Sequence, residues 1–134
     1  MTEKGARCFC IDGTNIVRGC YGYGGPEFRA QEDADSQRLI AALGQLCAQY
    51  GDRLDVELIF DGAFRPWRCE AANLRIRFSQ ETQADDLILD CVRGRSYGSG
   101  GRVTVVTGDG ELGAKASEDG ARWQRVFPGT PLEN

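Results

Sequence analysis

The sequence predicts a three-layer α/β domain over residues 1–134, in which helices flank a mainly parallel five-stranded sheet. Apolar runs of strand length alternate with segments of helical periodicity, and this alternation is typical of parallel strands joined by helical crossovers. Three of the runs lead into an acid followed by glycine, at Asp12-Gly13, Asp61-Gly62 and Asp109-Gly110. Parallel strands place their carboxyl ends at one edge of a sheet, so the sequence predicts a ligand site at that edge.

The first part of the domain is a strand over 8–12, followed by a glycine-rich loop over Arg18–Gly25. A long helix comes next, and we expect it to begin at Asp33 or Asp35 and to end at Gly51, a residue suited to a helix C-terminus. Its apolar residues recur every three or four positions: Leu39, Ile40, Leu43, Leu46, Cys47 and Tyr50.

The middle of the domain contains two strands and a second helix. The strand over 55–60 leads through a turn or broken helix over 64–72 to a strand over 74–78. Apolar and charged residues alternate strictly in this last strand, which places it nearer the edge of the sheet. The second helix is predicted over 82–93, with a buried apolar stripe, and a flexible link follows over 97–101.

The last part of the chain repeats the strand and helix pattern. The third aspartate-ended strand is predicted over 103–107, a short helix over 111–118 and a final strand over 122–127. Residues 128–134 are expected to be extended.

The composition excludes several classes of chemistry. The absence of histidine excludes Ser-His-Asp and Cys-His catalysis and imidazole metal sites. The net charge of −4 argues against a general electrostatic attraction to nucleic acid and fits a protein that gathers carboxylates around a cation. The six cysteines form no Cys-x-x-Cys pair, so we expect small buried thiols in a reduced, cytoplasmic protein. No segment has the length or hydropathy of a signal peptide or a membrane span, so no membrane partner is expected.

Five acids are expected to converge at the carboxyl edge of the sheet. Asp12, Asp61 and Asp109 follow strands, and Asp85 and Asp86 lie in the first turn of the helix that leads to the third of these strands. Crowded carboxylates repel one another, which raises the cost of ionising them all. A hard cation that prefers oxygen ligands, Mg²⁺ or Mn²⁺, relieves this repulsion. The pattern therefore indicates a metal site that can activate water against a phosphate ester.

Each acid also has a structural interpretation when it is considered alone. Asp12 and Asp61 suit turns, because an aspartate side chain can hydrogen-bond the backbone nearby. Residues 82–85, Thr-Gln-Ala-Asp, match a capping box, in which the acid only caps a helix. Asp86 suits the positive end of a helix dipole, and Asp109 suits a tight turn. The presence of all five in one arrangement favours the metal site.

Other residues are candidates for contact with a substrate. Asn15 could position a phosphate or a water molecule, or could simply begin a helix. Tyr21, in the glycine-rich loop, could stack on a base, and Thr107 lies at the end of the third aspartate-ended strand. The densest basic cluster could guide a phosphate backbone or could be an ordinary solvated face. It contains Arg65, Arg68, Arg75 and Arg77, with Trp67 among them.

Four short motifs in this order resemble the NYN domains of the PIN-like nuclease superfamily, and the YacP-like ribonuclease subgroup most of all. They are Asp-Gly-Thr-Asn at 12–15, Phe-Asp-Gly at 60–62, Glu-Thr-Gln-Ala-Asp-Asp at 81–86 and Val-Val-Thr-Gly-Asp at 105–109. The resemblance implies a PIN-like, Rossmann-like sheet and a Mg²⁺- or Mn²⁺-dependent endoribonuclease. Such an enzyme would cleave single-stranded RNA by attack of metal-activated water on a backbone phosphodiester.

The resemblance assigns roles to individual residues. It implies a catalytic set of four acids and one amide: Asp12, Asp85, Asp86, Asp109 and Asn15. The same four acids would bind the metal, with Asp61 as a further ligand. The residues predicted to contact the RNA are Arg65, Arg68, Thr107 and Tyr21. Single-stranded RNA is thus the expected partner, delivered by the ribosome or by another RNA-delivering protein, while the oligomeric state stays open.

The sequence departs from the pattern of the family at one position and leaves two alternatives. Some PIN-like enzymes carry a further acid shortly after the fourth-strand aspartate, but position 113 is glycine and Glu111 is the nearest acid. This departure favours the alternative of a catalytically degenerate RNA- or protein-binding module. The residues at 11–14 and 108–110 also resemble haloacid-dehalogenase-type phosphatases, but Cys10 stands where that family needs a nucleophilic aspartate.

Overall fold

The computed structural model of the protein describes residues 6–21, 26–98 and 103–126. In this part of the chain the strands are β1 (Arg7–Asp12), β2 (Leu54–Phe60), β3 (Leu74–Phe78), β4 (Val103–Thr107) and β5 (Arg122–Arg125). The helices are α1 (Gly13–Tyr21), α2 (Arg29–Tyr50), α3 (Ala84–Gly98) and α4 (Gly110–Glu118). Short 3-10 turns precede α2 (Pro26–Phe28) and β2 (Gly51–Arg53).

The five strands form one sheet in the order β3-β2-β1-β4-β5, and every neighbouring pair is parallel. The predicted α/β class and the mainly parallel five-stranded sheet are therefore confirmed. The chain builds outward from β1 in one direction through β2 and β3, and in the other through β4 and β5. The strand order thus reverses beside β1, and in open α/β sheets a crevice for ligands forms at such a reversal.

Helices cover both faces of the central strands. One core cluster joins Cys10 and Ile59 to residues of α3 and α4, such as Ile88 and Leu112. The other joins Ile11 and Leu58 to residues of α1 and α2. Consecutive residues of one strand enter different clusters, because side chains of a strand alternate between the two faces. This burial explains the apolar runs toward the carboxyl ends of β1 and β2, at 8–11 and 58–60.

The burial of the cysteines and the hydropathy of the helices are those of an ordinary globular core. Cys10, Cys47 and Cys91 are buried, and Cys8 and Cys69 are half-buried. None of the helices over the described residues has the length and hydropathy of a membrane span.

Two helix boundaries in the first half of the chain differ from the prediction. Helix α1 includes residues 18–21, which were predicted as loop, because Ile16 and Val17 are buried and hold the preceding turns against the sheet. Helix α2 begins at Arg29, several residues before Asp33 or Asp35, and Asp35 is a buried residue within it, paired with Arg38 at 2.8 Å. The predicted end is confirmed, since Gly51 follows the helix with φ of 55°.

The remaining boundaries agree more closely. Strand β3 lies at the edge of the sheet as predicted, and the segment between β2 and β3 contains no helix. Helix α3 begins two residues later than predicted and extends to Gly98, so it includes the start of the predicted link. The rest of that link (99–101), the loop residues 22–25 and the tail (128–134) lie outside the described residues.

Gly113 and Trp123 form a close contact between α4 and β5. A Cβ atom at position 113 would lie 2.0 Å from Cε2 of the Trp123 indole, far inside contact distance. The indole Nε1 in turn donates to the Thr107 carbonyl oxygen at 3.1 Å. A side chain at position 113 therefore has no room in this chain, because the Trp123 indole occupies the space.

Replacement of Gly113 by alanine is expected to lower the free energy of unfolding by about 2 kcal/mol or more, since the added methyl group overpacks the Trp123 contact. Urea denaturation measures this loss. Gly94→Ala is the matched control, because its Cβ in α3 would meet nothing within 4 Å. That control is expected to stabilise the protein by about 0.5–1 kcal/mol. Equal effects of the two substitutions would contradict the contact.

Candidate active site

A cleft of about 380 Å³ opens at the carboxyl edge of the sheet, next to the point where the strand order reverses. It brings together four of the five predicted acids and the predicted amide: Asp12, Asp61, Asp85, Asp109 and Asn15. Asp86 does not line the cleft. These residues come from four separate places in the sequence, so only the parallel sheet and its crossover helices unite them. We call this space the acid cleft.

Asp12 lies at the bottom of the acid cleft, with 5% of its surface exposed. Its Oδ2 accepts a hydrogen bond from the Thr107 hydroxyl at 3.0 Å, and its Oδ1 accepts one from the Asn15 backbone N–H at 3.4 Å. Burial raises the pKa of Asp12 to about 6; the two hydrogen bonds oppose this shift, and the negative charges of Asp85 and Asp109 add to it. The ionised form of Asp12 therefore costs free energy, which a cation would recover.

Thr107 orients Asp12 from the neighbouring strand. It is fully buried, and its hydroxyl donates to Asp12 while accepting from the Asp109 backbone N–H at 3.1 Å. The predicted contact of Thr107 with RNA does not fit this placement, since RNA cannot reach a buried hydroxyl that is engaged on both sides. The alternation of side chains along β4 could have predicted this burial, because Thr107 lies on the same buried face as Val103 and Val105.

Asn15 connects the start of α1 to the end of β4. Its Oδ1 accepts a hydrogen bond from the Gly108 backbone N–H at 2.7 Å. Position 108 has no room for a side chain, since a Cβ atom there would lie 2.5 Å from the Val126 carbonyl oxygen and 3.2 Å from Asn15 Oδ1. The hydrogen bonds of Asn15 leave its Nδ2 donor without a partner among the described residues, so this amide group can serve a phosphate oxygen.

Asp85 and Asp86 occupy different environments although they are adjacent. Asp85 is half-buried in the acid cleft, and its carboxylate accepts no hydrogen bond from the described residues. Burial raises its pKa, and the charges of Asp109, Asp61 and Asp86 raise it further. Asp86 is exposed, and its Oδ2 accepts from the Gln83 backbone N–H at 3.4 Å.

The capping interpretation of Asp85 is therefore not what the structure shows. Helix α3 begins at Ala84, whose backbone N–H donates to Asp61 Oδ1 at 3.1 Å. Asp61 and Asp86 satisfy the start of the helix between them, and Asp85 is left for the acid cleft.

Asp61 is the residue that joins four elements at the rim of the cleft. Its Oδ1 accepts from the Ser79 hydroxyl at 2.9 Å as well as from Ala84, and its backbone N–H donates to the Thr14 hydroxyl at 2.8 Å. The ends of β2 and β3 are thereby fixed to the starts of α1 and α3. One carboxylate oxygen is committed to this junction, so the predicted role as a metal ligand would fall to the other.

Asp109 is the N-cap of helix α4. Its Oδ1 accepts from the backbone N–H groups of Glu111 at 3.0 Å and Leu112 at 3.3 Å. The structural alternative for this acid is thus partly correct, although the cap uses one oxygen and the residue still lines the acid cleft. Glu111 itself is exposed in the first turn of α4.

The donor set suits a hard cation held partly by water. Among the described residues, no three acidic or cysteine side chains stand close enough to hold a metal ion by themselves. Mg²⁺ and Mn²⁺ keep several water ligands and are usually bound by one or two carboxylates together with a substrate phosphate. Asp12 and Asp85 are the carboxylates whose ionisation is opposed by burial and by neighbouring charge. They therefore fit a site of this kind.

The predicted RNA-contacting arginines lie in different places. Arg65 lines a second cleft, which also contacts Arg18 and Asp61, and its Nη2 donates to the Asp61 carbonyl oxygen at 2.8 Å. Arg68 instead lines a cavity beside α2, away from the acid cleft. The side chain of Tyr21 lies outside the described residues. Two further members of the basic cluster, Arg75 and Arg77, pair with the Glu57 carboxylate at 3.1 Å each.

Arg18 is a cleft residue that the sequence did not identify. It lines the acid cleft and pairs with Glu32 of α2. Arg18 lies three residues after Asn15, and residues with this spacing share one face of a helix. This spacing identifies Arg18 only if the segment is helical, and the sequence predicts a loop from Arg18 onward.

The sheet has the all-parallel order β3-β2-β1-β4-β5, with acids at its carboxyl edge. The fold is similar to that of Rae1 (YacP) from Bacillus subtilis, in a crystal structure of a single-substitution variant. The TM-score is 0.66 at 17% sequence identity, and the match covers 89% of this chain and 69% of that chain. No protein-family model matches the chain, and no curated protein matches it. The structural similarity to Rae1 (YacP) establishes the fold of this chain.

Proposed function

We propose that the protein is a Mg²⁺- or Mn²⁺-dependent endoribonuclease that cleaves single-stranded RNA. The observation that carries the proposal is the convergence of Asp12, Asp85 and Asp109 with Asn15 in one cleft of a YacP-like fold. The choice of RNA among phosphodiesters depends on the resemblance of the sequence motifs to NYN domains.

Asp12 and Asp85 are the residues that would hold the metal, and Asp109 faces the same cleft from the start of α4. A bound Mg²⁺ or Mn²⁺ would supply activation of water and stabilisation of charge on the phosphate. Thr107 keeps the Asp12 carboxylate oriented toward the cleft. The Asn15 amide and the Arg18 guanidinium, which line the same cleft, would hold phosphate oxygens while the backbone is cleaved.

The charge of the protein bears on how RNA reaches the cleft. The net charge is −4, and among the described residues that line the acid cleft four acids face one arginine, Arg18. Long-range attraction of RNA is therefore weak. A protein with such a surface would cleave RNA that another body holds in place, and the ribosome or another RNA-delivering protein fits that description.

Cleavage of a single-stranded RNA that is blocked at both ends and labelled internally tests the proposal. Internal cleavage is expected with Mn²⁺ or Mg²⁺ and none with EDTA, since the carboxylates alone leave the charge on the phosphate uncompensated. Blocked ends exclude exonuclease contamination. Failure to cleave with either metal, together with no Mn²⁺ binding by titration calorimetry, would contradict the proposal.

One alternative has an observation in its favour. The absence of a three-carboxylate group among the described residues and the tryptophan in the space above Gly113 suit an RNA- or protein-binding module with a degenerate metal site. This module would bind RNA equally well with Mn²⁺ or EDTA. The phosphatase alternative has no such support, because Cys10, at the position of the required nucleophile, is fully buried in the sheet.

Metal affinity is expected to rise with pH up to about pH 7. Burial holds the pKa of Asp12 near 6, so below that pH a proton competes with the metal for its carboxylate. Between about pH 7 and pH 5 the ionised fraction falls roughly tenfold, and Mn²⁺ affinity should fall with it. Titration calorimetry across this range provides the measurement. A flat profile would show that Asp12 does not bind the metal.

A further inference from the structure

An aromatic cluster lies between the ends of β2 and β3. Phe60 and Phe78 are buried strand residues, and Trp67 contacts both, with ring centroids 5.3 and 5.8 Å away. The Phe64 ring lies in a T-shaped contact with Phe78, at 5.5 Å and 77°. The core thus supports Phe64 from beneath, although the segment that carries it has no regular secondary structure.

Phe64 is 67% exposed, more than any other large apolar residue described. A T-shaped contact uses the edge of one ring, so at least one face of the Phe64 ring stays open whichever ring supplies the edge. Arg65 keeps the neighbouring segment in place. Its guanidinium lies 4.7 Å from the centroids of both Trp67 and Phe78, and its Nη2 donates to the Asp61 carbonyl oxygen.

Phe64 lies close in the sequence to a residue that lines the acid cleft. It follows Asp61 by three residues, and Asp61 lines both the acid cleft and a second cleft of about 570 Å³. The wall of the second cleft includes Ala63 and Arg65, the residues on both sides of Phe64, while Phe64 itself is not part of that wall. The proposed path for RNA leaves the acid cleft past Asp61 and continues along the second cleft.

Charge in the second cleft gives a phosphate backbone little attraction. Among the described residues, the charged lining of this cleft is balanced, with three arginines against three acids: Arg18, Arg29, Arg65, Glu32, Asp33 and Asp61. Affinity for RNA along this path must come from the bases, which stack on aromatic rings largely independently of charge.

We propose that Phe64 is a stacking platform for one nucleobase of single-stranded RNA, beside the phosphodiester in the acid cleft. The inference depends on the proposed function for the path of the RNA. One exposed ring, carried between two residues of a polar, charge-balanced cleft, offers a base a full stacking face, but it offers a protein partner far less apolar area than a stable interface needs.

Binding of a short labelled single-stranded RNA, measured by fluorescence anisotropy in the Asp12→Asn background, tests this platform without cleavage. Phe64→Leu keeps apolar bulk but lacks a π face, and it is expected to weaken binding roughly 5- to 100-fold. Phe64→Trp should retain or improve affinity. Tyr50→Ala, which removes another exposed aromatic far along α2, should change nothing.

Abasic substitution along the RNA makes the test specific. One abasic position should weaken binding to the Asp12→Asn protein as much as Phe64→Leu does, and should cost nothing further when both changes are combined. Additive losses at every position would overturn the platform. So would an unchanged affinity of Phe64→Leu.

The two proposals can fail separately in this design. Coupling between Phe64 and one base without any metal-dependent cleavage by the unmodified protein would support the platform in a binding module. Metal-dependent cleavage without that coupling would overturn the platform and leave the nuclease. Capture of a protein by the Phe64 face, without coupling to a base, would also overturn the platform.

Discussion

Asp12→Asn is expected to reduce RNA cleavage by roughly 10²- to 10⁴-fold, because the carboxylate at the bottom of the acid cleft is lost as a metal ligand. The same substitution is expected to stabilise the folded protein at pH 7. Asparagine retains the size of the side chain and an oxygen that can accept from Thr107, but it removes a buried charge whose ionisation costs free energy. Loss of activity with a gain in stability is seldom produced by a merely structural residue.

The stability change has a defined dependence on pH. The pKa of Asp12 is about 6 in the folded protein, against 3.8 ordinarily, so the folded state holds the proton more tightly than the unfolded state. The unsubstituted protein therefore loses stability as pH rises from about 4 through about 6, and the asparagine variant does not. The expected gain is on the order of 1–2 kcal/mol at pH 7 and close to zero near pH 4, since asparagine sacrifices one hydrogen bond.

Urea denaturation at both pH values, with and without Mn²⁺, measures these effects. Mn²⁺ should raise the stability of the unsubstituted protein, by about 2.7 kcal/mol at a hundredfold excess over Kd, and should leave the variant unchanged. A variant that is less stable at pH 7 and still cleaves RNA would place the metal elsewhere.

The adjacent acids at the start of α3 provide the second large expected difference. Asp85→Asn is expected to lower cleavage and Mn²⁺ affinity by roughly 10²-fold, because Asp85 lies in the acid cleft. Asp86→Asn should change cleavage less than about threefold and lower the free energy of unfolding by about 0.5 kcal/mol, because Asp86 only accepts from the Gln83 backbone.

The two variants make the same chemical change at adjacent positions of one helix. Their comparison therefore separates an effect on the site from an effect on folding. Steady-state cleavage and metal titration on both proteins are the measurements. Equal losses would indicate a general dependence on negative charge at this helix. A larger loss at Asp86 would show that the helix presents its other acid to the RNA.

The strand pattern predicted the fold and most of the acids, because both depend on local order in the sequence. An apolar run before Asp12 predicts a buried strand, and a parallel sheet then fixes where its carboxyl end lies. The choice between Asp85 and Asp86 could not be predicted. It depends on where α3 begins, and Asp61, 23 residues before Ala84, satisfies that start from another strand.

Helix α1 and the Gly113 contact were missed for a similar reason. The residues after Asp12 are rich in glycine, and only the burial of Ile16 and Val17 against the sheet makes them helical. In the sequence, Gly113 was interpreted as the loss of an acid. In the structure, the Trp123 indole packs directly against it, from ten residues further along the chain. Local patterns do not contain such contacts between elements.

The acids of the cleft divide into two kinds with different evolutionary fates. Asp61 and Asp109 each hold the first turn of a helix, so selection for folding alone would retain them. Asp85 caps no helix, and Asp12 accepts only one long bond from the first turn of α1, from the Asn15 N–H at 3.4 Å. Burial makes the ionisation of both acids unfavourable. A descendant that no longer needed catalysis would thus be expected to lose positions 12 and 85 first. The acids at these two positions, rather than the whole set, would then distinguish working relatives from inactive ones.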